Sequence, residues 1–159
     1  MTEHPISRRA WLAGAAAAAA ALAATVAGDA LAAPAPTAIT VYKDPNCGCC
    51  AKWIDHMKGA GFAPTVKDTG DMDAVKTRYA VPTALRSCHT ALVGGYVVEG
   101  HVPAADVRRL LAERPAVRGV AAAGMPMGSP GMEMPGQPAA RYDVVAFAGD
   151  GSTRPFARH

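Results

Sequence analysis

Residues 39–50 read ITVYKDPNCGCC, and they predict the first strand of the chain and the start of its first helix. The first four of these residues alternate in β-branched fashion and predict a strand that ends at the Lys-Asp-Pro that follows. Asn46 is a favoured N-cap for a helix from about residue 47 to residue 58. The apolar residues of this helix recur with helical spacing: Cys50, Trp53, Ile54 and Met57. A strand therefore leads at once into a helix, with the cysteines at the junction.

The segments that follow complete the order β-α-β-α-β-β-α. A second strand over residues 65–68 precedes a helix over residues 71–79, and Gly94-Gly95 predicts a tight hairpin between two apolar strands. Pro103 opens a last helix that ends near Pro115. This order predicts an α/β (α+β) fold of thioredoxin-like type over residues 38–115, with a parallel β-α-β start and an antiparallel hairpin finish.

The composition changes after that domain. Residues 116–140 are rich in Met, Gly and Pro without periodicity, which predicts a loop. Four methionines lie within ten residues of it: Met125, Met127, Met132 and Met134. Residues 141–159 predict a closing β-hairpin. We expect the hairpin to pack as an appendage that brings the Met-rich loop back toward the sheet.

The N-terminus has the pattern of an export signal. Arg8 and Arg9 precede an alanine-rich apolar run over residues 13–26, and Ala30-Leu31-Ala32 supplies a small-x-small cleavage site. Residues 1–32 therefore predict a Tat-type signal peptide, followed by a linker over residues 33–37. A membrane anchor is the alternative, but the run is weak for a span of roughly 20 residues. We expect a periplasmic bacterial protein with no stable membrane span after cleavage.

Charge and motifs exclude several classes of function. Cleavage leaves about 127 residues, enough for one small domain, and the net charge stays at +3. The basic residues are scattered, form no stripe and show little aromatic interleaving, which argues against nucleic-acid binding. No G-x-S-x-G, Walker A or H-E-x-x-H pattern occurs, and the carboxylates are dispersed.

Sulfur chemistry remains as the most informative signal. Cys47 and Cys50 have the C-x-x-C spacing of redox dithiols, while clustered soft thiolates select Cu(I) or Zn(II). A third thiolate at Cys49 invites disulfide scrambling in a redox enzyme but is useful to a thiophilic metal cluster. Any oxidised form should join Cys47 to Cys50, or one of the three to Cys88, because adjacent cysteines pair poorly.

The fourth cysteine is expected to join the other three. In a thioredoxin-like fold the segment entering the first hairpin strand lies beside the strand-to-helix junction, so Cys88 and His89 would face the CGCC turn. The alternative is that Cys88 is a buried small hydrophobe and that His89 is a structural histidine. His101 is a second-tier ligand or a cap of the following helix, and His56 is expected on a solvated face.

The methionines favour copper over zinc. Thioethers bind Cu(I) well and Zn(II) poorly, so a mobile Met-rich loop predicts copper capture, whereas an inert linker is the alternative. Zinc remains open for the cysteines alone.

Four blocks of the chain resemble one family. They are YKDPNCGCCAKW from residue 42, VPTALRSCHTA from residue 81, GYVVEGHVPA from residue 95 and GMPMGSPGME from residue 124. Together they resemble the CopG proteins, small periplasmic proteins associated with bacterial copper resistance. The resemblance implies a thioredoxin-like fold and a thiolate-bridged, polynuclear Cu(I) site with a redox role. It implies these thiolate ligands: Cys47, Cys49, Cys50 and Cys88.

The leading hypothesis is a protein that captures periplasmic Cu(I) and hands it to an efflux or chaperone partner. The alternative is a thiol-disulfide oxidoreductase with Cys47 as nucleophile and Cys50 as resolving thiol. A secreted domain held by two disulfides is a third hypothesis.

Overall fold

The computed structural model describes residues 35–159, so the predicted signal peptide over residues 1–32 lies outside the described part. The strands are β1 Thr37–Lys43, β2 Phe62–Asp68, β3 His89–Val93, β4 Tyr96–Gly100, β5 Gly119–Ala122, β6 Asp143–Phe147 and β7 Thr153–Arg158. The helices are α1 Gly48–Gly59, α2 Met72–Arg78 and α3 Ala104–Glu113. Among residues 35–159, no helix has the length and apolarity needed to cross a membrane.

All seven strands form one mixed sheet in the order β2-β1-β3-β4-β5-β6-β7. β1 pairs with β2 in parallel and with β3 in antiparallel orientation, and β3 and β4 form the antiparallel hairpin around Gly94-Gly95. This sheet with its helices confirms the predicted α/β class. The thioredoxin-like assignment stays a prediction.

The structure differs from the prediction after α3. The sequence predicts a loop over residues 116–140, but this segment contains β5, which pairs with β4 in parallel and with β6 in antiparallel orientation. The closing hairpin β6–β7 is therefore not an appendage, because it continues the main sheet. The four residues of β5, Gly-Val-Ala-Ala, are too few and have side chains too small to give a strand signal in the sequence. A Cβ atom on Gly119 would clash with the Val97 carbonyl oxygen, so glycine permits this pairing.

The core lies on both faces of the sheet. Trp53, Ile54 and Met57 of α1 pack with residues of α3 in the larger cluster, which includes Val98. The smaller cluster contains Val97 and is covered by the segment around Leu85. Successive strand residues point to opposite faces, which assigns the two clusters to opposite sides. Helix α1, which carries the cysteines, is thus fixed by a buried face.

Candidate metal centre

The four cysteine sulfurs lie together at one end of the sheet. Cys47 and Cys50 form a disulfide, and Cys49 and Cys88 are free thiols. The Sγ atom of Cys49 is 3.5 Å from that of Cys47 and 3.8 Å from that of Cys88. All four Sγ atoms lie within 4.8 Å of one another. The structure therefore has the predicted convergence of all four cysteines. Its Cys47–Cys50 disulfide is one of the two kinds that the sequence predicts.

Local structure explains this convergence. β1 ends at Lys43, which pairs with His89 at the start of the neighbouring strand β3, and Cys88 directly precedes that pair. The N-cap of α1 is Cys47 and not the predicted Asn46, whose backbone N–H donates to the Asp44 side chain at 2.8 Å. No side chain caps the first turn of α1. Its amide groups and helix dipole therefore favour negative charge beside the sulfurs.

His101 points into the centre. Its Nδ1–H donates to the Pro130 carbonyl oxygen at 2.8 Å, which leaves Nε2 as the unprotonated nitrogen, 3.0 Å from Cys88 Sγ. Burial lowers the pKa of His101 despite this carbonyl and the nearby Glu133. A neutral ring held by a carbonyl is the usual form of a metal-binding histidine.

The cap of α3 is His56, not His101. The Ala104 N–H donates to His56 Nε2 at 3.1 Å, and burial lowers the pKa of His56. The expectation that His56 lies on a solvated face is correct for its exposure, but it missed this capping role.

His89 is fully buried beneath the sulfurs. Its Nδ1 is 3.4 Å from Cys88 Sγ, and its ring centroid lies 4.4 Å from that of Trp53 and 5.0 Å from that of His101. Its Nε2 has no hydrogen-bond partner within the described residues. Burial, followed by the neighbouring His101 and Lys76, lowers its pKa well below the ordinary value. His89 is therefore a neutral nitrogen donor, and Cys88, His89 and His101 form a second compatible donor set.

Cys88 is a thiol and not a thiolate at neutral pH. Burial, with a further contribution from Cys49, raises the pKa of Cys88 to about 12. A bound cation reverses this preference, because its charge stabilises the deprotonated sulfur. The Cys88 position is thus suited to a ligand that displaces a proton.

Three of the four loop methionines lie beside the free cysteines. A pocket of about 350 Å³ is lined by Cys88 and Met125, and a pocket of about 300 Å³ is lined by Cys49, Met132 and Met134. Met127 lines neither of them. Met125 and Met134 are 56% and 55% exposed. Thioethers are therefore available to solvent next to both free thiols.

The centre of the Met-rich loop packs against α1 and does not project away as a free linker. Ser129, Pro130 and Gly131 are buried. A Cβ atom on Gly131, which has a φ of +85°, would lie 2.8 Å from both the Cys49 carbonyl oxygen and the Trp53 nitrogen. Glycine is required for this approach, which also brings the Pro130 carbonyl to His101.

A buried ion pair beside the centre was missed from the sequence. Lys76 Nζ lies 2.6 Å from Glu99 Oε1. Lys76 is one of several charged residues on α2 and looks like part of a solvated face. A signal was available for Glu99, because a charged residue within the apolar hairpin strand Tyr96–Gly100 is unusual.

An α/β domain with four converging cysteine sulfurs and two buried neutral histidines defines a candidate thiolate-type metal-binding protein. Two solved structures of the copper resistance protein CopG, Form 1 and Form 2, are 48% and 47% identical to this chain, with TM-scores of 0.73 and 0.74. Each match covers 78% of this chain and 98% of the other. This chain therefore belongs to the family of the copper resistance protein CopG.

A family described as protein of unknown function, DUF411, matches residues 85–132. No curated protein sequence matches the chain.

Proposed function

We propose that this protein captures copper as Cu(I) in the bacterial periplasm and contributes to copper resistance. The observation that carries the proposal is the convergence of four cysteine sulfurs, from two distant segments, within 4.8 Å. The name of the CopG relatives supports copper as the ion. The twin arginines at Arg8 and Arg9 support export.

The donor set fits copper. Thiolates and thioethers are soft ligands, and Cu(I) prefers them over the oxygen ligands that suit harder cations. A dithiol reductant, itself oxidised to a disulfide, would supply the two electrons and two protons that convert the Cys47–Cys50 disulfide into two thiols. The chain then offers four thiols, to which His89 and His101 add two imidazole nitrogens. Six donors around one centre suit more than one ion, with thiolates bridging between them. We therefore propose a polynuclear Cu(I) site.

The methionines supply the path to this site. Met125 on the Cys88 side, and Met132 and Met134 on the Cys49 side, bind Cu(I) weakly and transfer it to the thiolates. The same exposed thioethers suit delivery to a periplasmic efflux or chaperone partner. Met127 is the weakest candidate, because it lines neither pocket.

Competition titration tests the proposal. Reduced protein lacking residues 1–32 is titrated with Cu(I) against a chelator of known affinity, and the copper bound per chain is counted. The variant Cys49→Ser plus Cys50→Ser should weaken binding by more than about 100-fold, since even indirect ligand partners contribute about 10–100-fold. Ala51→Ser, on the exposed side of the same helix, is the matched control. Affinity unchanged in the double variant would refute the proposal.

The disulfide favours a second candidate, a thiol-disulfide oxidoreductase. Cys47 is partly exposed and Cys50 is fully buried, as expected for an attacking and a resolving thiol. The Cys47 thiolate would attack a substrate disulfide and release one substrate thiolate. The Cys50 thiolate would then attack Cys47 sulfur, releasing the second thiolate and restoring the disulfide.

An insulin-reduction assay with dithiothreitol and without copper separates the two functions. Turnover that is lost in Cys47→Ser and retained in Cys88→Ser would support the enzyme. No turnover above that of dithiothreitol alone would exclude it.

A further inference from the structure

One buried carboxylate holds both sides of the Cys88-His89 dipeptide. Glu99 Oε1 accepts a hydrogen bond from the Ser87 N–H at 2.7 Å, and Oε2 accepts one from the Thr90 hydroxyl at 2.6 Å. Ser87 precedes Cys88, and Thr90 follows His89. A single side chain on β4 thus fixes the two residues that flank two candidate ligands.

Lys76 fixes the carboxylate in turn. Its Nζ donates to Glu99 Oε1 at 2.6 Å and to the Thr90 hydroxyl oxygen at 3.2 Å. The side chains of Lys76 and Glu99 are only 4% and 0% exposed. Helix α2 and strands β3 and β4 are therefore tied together directly beneath the metal centre.

Stability alone does not explain this pair. Removing two charges from water costs several kcal/mol for each ion, and apolar replacements of similar volume are often as stable. The charges of such a pair need not stabilise the fold, so the hydrogen bonds of this pair point to a role in placing its neighbours. The neighbours here are the residues on either side of Cys88 and His89.

Gly100 supports the same role. It has a φ of +69°, and a Cβ atom there would lie 2.5 Å from Ser87 Oγ. Ser87 Oγ also donates to the Gly124 carbonyl oxygen, at the start of the methionine-rich segment. Two successive residues of β4, Glu99 and Gly100, therefore determine where Ser87 lies, and with it the backbone that carries Cys88.

We propose that Glu99 and Lys76 are positioning residues of the metal centre: they hold Cys88 and His89 in place for a thiophilic ion without contacting it. The copper part of this inference rests on the proposed function. The positioning of Cys88 does not, so it is tested without metal.

The metal-free experiment uses Lys76→Met plus Glu99→Leu, which removes both charges and keeps similar volumes. In a Cys49→Ser background, Cys88 is the single free thiol among the described residues while the disulfide is intact. Without the Glu99 acceptors the Cys88 segment should loosen, and alkylation of Cys88 by iodoacetamide should become several-fold faster. The Lys76→Met plus Glu99→Gln variant keeps one acceptor oxygen and should be intermediate. Leu110→Ala, a core change on α3, controls for general destabilisation and should leave the rate near that of its parent.

The copper experiment uses the same variants with all four cysteines present. Lys76→Met plus Glu99→Leu should lower Cu(I) affinity by about 10–100-fold and change the thiolate-to-copper absorption spectrum, as is typical when an outer partner of a ligand is lost. Leu110→Ala should change neither.

An unchanged alkylation rate in the apolar double variant would overturn the inference, whatever the copper result. Faster alkylation with unchanged Cu(I) affinity and spectrum would also overturn it. If Lys76→Met plus Glu99→Leu speeds alkylation of Cys88 but the protein without these substitutions binds no Cu(I), the positioning of Cys88 is supported and the proposed function is rejected.

Discussion

Substitution of Gly131 by alanine tests whether the Met-rich loop is anchored to α1. Gly131 has a φ of +85°, and an added Cβ atom would lie 2.8 Å from the Cys49 carbonyl oxygen, 2.8 Å from the Trp53 nitrogen and 3.3 Å from the Lys52 carbonyl carbon. All three contacts are backbone atoms of the first turns of α1, so no flexible side chain can move aside.

The cost has two parts. A left-handed alanine costs about 1–2 kcal/mol, and overpacking against rigid atoms costs about 1–3 kcal/mol more. Gly131→Ala should therefore lower the free energy of unfolding by about 2–5 kcal/mol. Because the alanine would push Pro130 away from His101, Cu(I) affinity should also fall by about tenfold or more.

Gly136→Ala is the matched control. Gly136 belongs to the same loop and has a φ of +75°, but a Cβ atom there would meet nothing within 4 Å. It should show only the backbone cost of about 1–2 kcal/mol and leave Cu(I) affinity unchanged. Urea unfolding of both variants without reductant, so that the disulfide is kept, measures the difference.

Equal losses of stability and equal Cu(I) affinities in the two alanine variants would refute the anchoring of the loop. A loss of stability in Gly131→Ala without a loss of affinity would refute the link between the Pro130 carbonyl and His101.

Three further predictions concern the buried ring residues and Cys88. Burial keeps His89 neutral in the folded protein, whereas an unfolded histidine gains a proton below its ordinary pKa of 6.5. The free energy of unfolding should therefore decrease as the pH is lowered below about 6.5, by up to about 1.4 kcal/mol per pH unit. Between about pH 6.5 and 5.5, the His89→Phe variant should lose less stability in urea unfolding than the unchanged protein does. An equal loss in the two proteins would contradict this. Trp53→Phe removes the 2.9 Å hydrogen bond from Nε1 to the Val102 carbonyl and should cost about 1–3 kcal/mol, so a change under about 0.5 kcal/mol would be inconsistent with it. In Cys49→Ser protein the contribution of Cys49 is lost, but burial remains and should keep the pKa of Cys88 above its ordinary value of 9.0. Alkylation should then rise about tenfold per pH unit up to pH 9, and a plateau below pH 9 in mass spectrometry would contradict this.

The α/β class was predictable from local signals, and the grouping of the sulfurs was predictable from the expected strand order. A β-branched run followed by a helical repeat identified β1 and α1, and Gly94-Gly95 identified the β3–β4 hairpin. In the thioredoxin-like strand order predicted from these elements, the start of β3 lies beside the end of β1, and the structure has this pairing. Cys88 then approaches Cys49 as a consequence of the strand order.

The remaining features depend on contacts that a side-chain pattern does not encode. β5 is a strand because Gly119 permits close pairing with Val97, and small residues in isolation carry little strand signal. The Pro130 carbonyl that orients His101 is a backbone group, so no residue type in the sequence indicates this contact. Lys76 looks solvated until α2 is placed against β4, where it meets Glu99.

The candidate donors of this centre come from separate parts of the chain: the CGCC segment, the start of β3 and the residue after β4. An unfolded chain keeps the CGCC segment but scatters Cys88 and His101. Cys88 and His101 therefore add to the affinity of the folded protein for an ion but not to that of the unfolded chain. This difference in affinity makes the melting temperature depend on ligand concentration. A calorimetric scan with increasing amounts of a thiophilic ion would thus report how much of the affinity depends on folding.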